Sequence, residues 1–209
     1  MIFVNLLQQD LKNSYRNLAK IIVNLIFFIT LSSVFLFFMQ DVGSQQNQLQ
    51  IFQIVIWIAI IFTIFYQSVD FLRQDYIDGT IEQMILICYN FEIYILSKII
   101  IFWLDFCLPV IVAIFLMMLM MGFSSDVAIS NIKALIPATF AISSISFLCG
   151  CFNIMSRRAT LLAILALPLI LPIVILAINI KIQTLTLLSI FLALIAIFSS
   201  SKFIMIVSQ

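Results

Sequence analysis

The stretch RQDYIDGTIEQM, residues 73–84, together with Asp70 just upstream, holds four of the nine acids in the chain: Asp70, Asp75, Asp78 and Glu82. Acids at the start of a helix are favoured by its dipole and give it a charged surface on which a soluble partner can dock. A second candidate is Asp105, an acid inside a long apolar run. It reads either as a proton or cation site or as a group hydrogen-bonded to a neighbouring helix. Other chemistry is largely absent. The chain has no histidine, which removes the commonest metal ligand, the usual haem ligand and the usual proton shuttle. Its four cysteines, Cys88, Cys107, Cys149 and Cys151, form no C-x-x-C pair and read as small buried hydrophobes. No Ser/His, paired-Asp or metal-ligand set falls in the apolar runs, so an intramembrane enzyme is disfavoured. No phosphate-binding loop exists. Energised work by this chain needs a partner's ATP or an ion gradient.

The elements that position these residues follow from composition. Of 209 residues, 65% are apolar and 9% charged, and mean hydropathy is +1.27. Too little polar surface remains to coat a water-soluble globule, so the chain belongs to the membrane class. A net charge of +1 gives no field for nucleic acid. Six apolar runs, about 21–39, 51–72, 99–121, 134–155, 159–180 and 185–207, are each near the roughly 20 residues a membrane helix needs. They are continuously apolar, which excludes a closed barrel. With both termini cytoplasmic, the inside segments carry Lys12, Arg16, Lys20, Arg73, Lys98, Arg157, Arg158 and Lys202, and the outside segments only Lys133 and Lys181. That bias satisfies the positive-inside rule. A bacterial inner membrane fits, and a mitochondrial inner membrane fits equally well.

Residues 1–20 lack a cleavable-signal pattern. Phe3, Leu7, Leu11, Tyr15, Leu18 and Ile22 recur at helical spacing, with Lys12, Arg16 and Lys20 on another face. This predicts an amphipathic helix lying in the membrane interface. The outside loops are short and hold no domain, so the whole chain, 1–209, is expected to be one transmembrane unit.

The acidic stretch lies in the longest inside loop. Gly79 gives a corner. Thr80 with Gln83 fits a capping box, Asp78 being the alternative cap. A short helix then places Ile81, Met84, Ile85 and Cys88 on one face, with Glu82 and Gln83 opposite. Asn90 is a candidate second cap. In the fifth run, Pro168 and Pro172 share one face, and each frees a carbonyl four residues earlier, which predicts a bend or hinge. Ser146 and Gly150 form a small-x-x-x-small pair suited to close helix contact. Arg157 and Arg158 read as topology anchors.

The motif DGTIEQ resembles the G-T-[LI]-E signature of ABC-type export permeases with six spans and no fused ATPase. In these, the first cytoplasmic loop carries a coupling helix that rests in a groove of the ATPase. D-x-x-D-G-[ST]-[LI]-E at 75–82, LSK at 96–98 with Trp103, and LALPLILP at 165–172 resemble the CcmB family, the membrane subunit of the cytochrome c maturation transporter. Chain length and the LLQQDLKNSYRN opening fit too, so the resemblance covers nearly the whole chain. It implies an all-α membrane protein with six transmembrane helices of ABC-exporter permease type, an interfacial N-terminal helix, and a coupling helix between spans two and three. It further implies a separate CcmA-like ATPase, CcmC-like and CcmD-like membrane partners, a CcmE-like haem chaperone outside, and two copies facing each other. Haem is then cargo of the complex and ATP is used by the partner, with no cofactor bound directly. The absent histidine and the absence of a tryptophan-rich haem-handling motif argue for a mechanical link rather than a haem carrier. By the same resemblance, Asp75, Asp78, Gly79, Thr80 and Glu82 serve ATPase coupling, while Pro168 and Pro172 shape or hinge the fifth span. The alternatives are a permease of this fold exporting a lipid, glycan or drug, an ion-coupled carrier using Asp105, and an assembly scaffold.

Overall fold

The computed structural model describes residues 7–8, 10–12, 18–37, 45–87, 91–156, 159–179 and 181–207, and among them every regular element is helical. In chain order they are α1 (Leu18–Phe37), α2 (Gln45–Ile77), α3 (Thr80–Ile87), α4 (Phe91–Phe102), a π-helical turn (Trp103–Cys107), α5 (Leu108–Met120), α6 (Ser125–Ser156), α7 (Ala159–Ile178) and α8 (Ile182–Val207). Four helical segments are long and apolar enough to cross a membrane: Asn47–Ser68, Phe91–Met120, Ser125–Phe152 and Ile182–Met205. Two shorter apolar stretches, Ala19–Val34 and Ala166–Ile178, lie in α1 and α7.

α6 is the interior helix. Its apolar segment is 72% buried, against 28% for that of α8, and it packs along α2, α7 and α8. The sequence explains why. Ala134, Ala138, Ala141, Ser143, Ser144, Ser146 and Gly150 are all buried on α6, and small residues let helix backbones approach closely. At Gly150 the approach is extreme: a Cβ there would stand 2.8 Å from the Ser68 carbonyl oxygen of α2. The small-residue pair therefore does mark a close crossing. Ser143 and Ser144 donate to the Phe140 carbonyl, which satisfies their hydroxyls inside an apolar bundle.

Two apolar clusters fill the bundle. The larger joins Phe28, Trp57, Ile60, Phe102, Phe106, Ile142 and their neighbours. The smaller sits under the α2–α3–α4 corner and joins Leu72, Ile81, Phe91, Tyr94, Ile95 and Phe147. Cys149 belongs to the first and Cys151 to the second, because residues two apart on a helix face different sides. Cys107, Cys149 and Cys151 are buried free thiols, as expected. Cys88, Asn90, Arg157 and Arg158 lie outside the described residues, as does most of the interfacial helix expected over 1–20, of which residues 7–8 and 10–12 are helical and 18–20 begin α1.

Several boundaries differ from expectation. α2 does not end near residue 72. It continues through Asp75 to Ile77, 33 residues in all, about 50 Å at 1.5 Å per residue and well beyond a hydrocarbon core of about 30 Å. Loss of hydropathy marks where a helix leaves the membrane, not where it stops. The stop is Gly79, whose φ of 68° ends the helix in a left-handed turn. The acidic stretch is thus the last turn of α2, a two-residue corner and α3, rather than a long loop. α4 likewise starts at Phe91, ahead of the expected 99, and α6 at Ser125, ahead of 134.

Candidate functional site: the acidic corner and the Lys98 ion pairs

Five elements or segments meet at the acidic corner: residues 10–12, the end of α2, the corner, α3 and α4. α3, eight residues long, begins at the Gly79 turn and carries one apolar face. Ile81 is buried, and Met84 and Ile85 pack against the smaller cluster. Glu82 and Gln83 are exposed on the other side, as the helical spacing predicts. Asp78 is also exposed. Leu86 is 86% exposed, with Ile77 beside the corner at 69%. The outward surface of the corner is therefore acidic with apolar points.

The capping box is not made. The Thr80 hydroxyl donates instead to the Asp75 backbone carbonyl at 2.8 Å, one of the acceptors left open at the end of α2. The Gln83 N–H is taken by the Gly79 carbonyl at 3.2 Å. A free carbonyl in the preceding helix offers Thr80 a closer partner than the next turn does.

Asp75 and Glu82, both expected to serve coupling, point in different directions. Glu82 is exposed, whereas Asp75 turns inward. Its Oδ2 lies 2.8 Å from Lys98 Nζ on α4, and the Tyr94 hydroxyl donates to the same oxygen at 3.5 Å. Lys98 Nζ also lies 3.2 Å from Oδ2 of Asp10 and 5.4 Å from the centroid of the Tyr94 ring. One buried ammonium thus joins the N-terminal segment, the end of α2 and the start of the long Phe91–Met120 segment. Burial raises the Asp10 carboxyl above its ordinary range; attraction to Lys98 opposes the rise, and the charge of Asp75 adds to it.

Asp105 lies away from this corner, in the π turn. The turn has a local cause. Pro109 lacks an N–H, and its ring crowds the carbonyl four residues back, that of Asp105. The helix widens there, with the Leu108 N–H reaching the Trp103 carbonyl. Two neighbours hold the turn: Asn24 Nδ2 of α1 donates to the Phe106 carbonyl at 3.4 Å, and Trp103 Nε1 donates to Thr139 Oγ1 of α6 at 3.1 Å. Asp105 is half-buried and is not an isolated charge. Pro168 and Pro172 sit inside α7 on its exposed face, while Ala166, Ile170, Ile173 and Ala177 face the bundle. Among the described residues no three His, Cys, Asp or Glu side chains gather as a metal site.

Lys98, Asp10, Tyr94 and Pro109 carry more of this arrangement than sequence reasoning assigns them. The available signal was thin: the lysine of the LSK motif, read only as part of the resemblance and as an inside charge, and a proline four residues after an intramembrane acid.

Long apolar helices around one interior helix, with an exposed acidic corner at one end, define an all-helical membrane protein. The family described as CcmB protein matches residues 1–206, and the chain belongs to that family. It is 25% identical over 179 residues to Heme exporter protein B of Haemophilus influenzae, covering 85% of this chain and 80% of that protein. It is 26% identical over 177 residues to Heme exporter protein B of Pseudomonas aeruginosa, covering 84% of this chain and 78% of that one.

Proposed function

We propose that this chain is the permease subunit of an ABC-type complex in cytochrome c maturation. In this role it couples ATP hydrolysis by a separate ATPase to haem delivery and to release of the haem-loaded chaperone. CcmB family membership supports the role, and both relatives are named for heme export. The observation that carries the coupling is α3 with its corner: the apolar face of α3 is packed into the chain's own core, and Asp78 of the corner with Glu82 and Leu86 of α3 are exposed.

In this reading α3 is the coupling helix and docks on a CcmA-like ATPase. Asp78 and Glu82 meet the partner, Gly79 sets the corner, and Asp75 and Thr80 fasten it to the bundle. CcmC-like and CcmD-like membrane proteins complete the complex, a CcmE-like chaperone receives haem outside, and two copies of this chain face each other. The chain crosses the membrane six times with both termini cytoplasmic. α1 and α7, at 20 residues each, have the length of about 30 Å that a bilayer core requires. The exposed Pro168–Pro172 face of α7 meets lipid or a partner subunit. Haem is cargo of the complex, and ATP is bound and hydrolysed by the partner.

The test is co-purification of the tagged chain with its ATPase from native membranes. Wild type retains the ATPase, whereas Glu82→Arg, which reverses a docking charge, and Gly79→Val, which strains a left-handed backbone by about 1–2 kcal/mol, lose most of it. Full retention by both variants would overturn the coupling role of these residues. One observation favours a second reading, an ion-coupled carrier centred on Asp105: the acid lies in a π turn, a geometry frequent at functional sites. That reading requires activity without any ATPase and its loss in Asp105→Asn.

A further inference from the structure

Docking at α3 does no work unless the displacement leaves the corner. The corner joins the bundle through the apolar face of α3, packed in the smaller cluster, and through a set of polar ties. α3 meets α2 and α4, and the Thr80 hydroxyl ties its first residue to the backbone of Asp75. The Asp75 carboxylate then holds Lys98 at 2.8 Å, with Tyr94 on the same oxygen. From the other side, Asp10 of the N-terminal segment holds Lys98 at 3.2 Å. Lys98 is 8% exposed. Its ammonium is held between two carboxylates rather than sweeping through water as a surface lysine does, and charge-assisted contacts are the strong and directional ones.

What lies beyond Lys98 matters equally. Five residues on, the same helix passes into the π turn Trp103–Cys107, with Pro109 just after it. Helices bend at such places because the backbone ladder is already interrupted. A tight grip is therefore followed, on one continuous helical segment from Phe91 to Met120, by a compliant turn. Two outer anchors, Asn24 and Thr139, hold that turn to α1 and α6.

We propose that Lys98 is the positioning residue through which movement of α3 enters the long Phe91–Met120 segment, which then bends at the π turn Trp103–Cys107. This inference rests on the coupling reading above and adds the route inside the chain. The two carboxylates make the N-terminal segment and the end of α2 move with Lys98 as one body. The far end of the helix, at Met120, is where the bend is read.

The experiment uses the full chain with its ATPase in lipid nanodiscs. An environment-sensitive fluorophore is placed at Met120→Cys, a site 87% exposed, in a Cys88→Ser background; the three remaining thiols are buried. ATP is added to wild type, Lys98→Gln and Lys98→Arg. Wild type gives an ATP-dependent signal. Lys98→Gln still retains the ATPase, because it leaves the outward face of α3 intact, but its signal falls about fivefold or more. Lys98→Arg, which keeps the charge, retains most of the signal. A purely structural lysine would not separate ATPase retention from the response at Met120. The inference is overturned if Lys98→Gln responds like wild type, if it loses the ATPase outright, or if wild type holds the ATPase yet Met120→Cys gives no response. Failure of wild type to hold any ATPase would instead overturn the coupling reading itself.

Discussion

α2 is fastened at its two ends by different chemistry. Near its start, the Gln53 side-chain amide donates to Asn131 Oδ1 of α6 at 2.6 Å. This neutral contact borders a cavity of about 20 Å³ lined also by Trp57, Ile114 and Met118, roughly the space of one water molecule. Near its other end, Asp75 meets a lysine from α4, a tyrosine hydroxyl and a threonine hydroxyl, and a second carboxylate arrives from the N-terminal segment. Amide pairs are inexpensive to form inside a bundle. Charges taken from water are not, unless they are paired and hydrogen-bonded. The charged end is possible because α2 runs nine residues past its apolar segment, which closes at Ser68, or about 13 Å at helical rise. The three charged side chains there keep 10, 18 and 25% of their exposure. The neutral end joins two helices, whereas the charged end holds three segments in register beside the exposed acidic face of α3.

Removing the cation should break that contrast most. Lys98→Met leaves Asp10 and Asp75 near one another without a shared counter-ion. It should lower stability by about 2–3 kcal/mol, in the range for a charge-assisted contact whose loss strands its partners. Thermal unfolding of the purified chain in detergent measures this, with Lys98→Arg expected to lose much less. If Lys98→Met unfolds at the wild-type temperature, the ion pairs carry no stability and the two ends of α2 are equivalent.

A smaller effect is expected at the neutral end. Asn131→Ala removes the acceptor of Gln53 and also the bond from Asn131 Nδ2 to the Val127 carbonyl. Because water can reach a half-buried amide, the loss should be about 1 kcal/mol. The same thermal assay, run beside Lys98→Met, ranks the two ends directly. A larger loss at Asn131 than at Lys98 would reverse the comparison.

Much of this was readable in the sequence, for identifiable reasons. The described part of each apolar run is helical apart from residues at its ends, since a chain in lipid must satisfy its backbone internally. The apolar face of α3 followed from the three- and four-residue spacing of Ile81, Met84 and Ile85. The Gly150 crossing followed from its lack of a side chain. What stayed hidden depends on contacts between distant residues or on competition between partners. Arg73–Ile77 looked like loop because it is polar, yet a helix outside the membrane is polar too. Thr80 matched a capping box but had a nearer acceptor in Asp75. The Asp75–Lys98 pair spans a helix corner, and the Asp10–Lys98 pair joins residues from opposite sides of two long helices, so no local pattern announces either. Pro109 was visible, but a proline in a membrane helix is common, and only the hydrogen bonds around it reveal a π turn.

The two carboxylates on Lys98 are not equal partners, and acid separates them. Burial raises the Asp10 carboxyl above its ordinary value of 3.8, more than the attraction of Lys98 lowers it. Between 3.8 and its folded value, the folded chain therefore binds a proton at Asp10 that the unfolded chain does not. Stability contributed by this group accordingly rises as pH falls through the folded value, and the cost of keeping Asp10 charged is present above it. The unfolding midpoint of wild type, followed from pH 7 down to pH 4, should gain relative to that of Asp10→Asn, in which the titrating group is gone. The difference isolates Asp10 from the other acids and should be the smallest of the effects considered. If wild type instead loses ground to Asp10→Asn on acidification, Asp10 is held chiefly by its attraction to Lys98. The N-terminal segment would then be fastened as firmly as the end of α2.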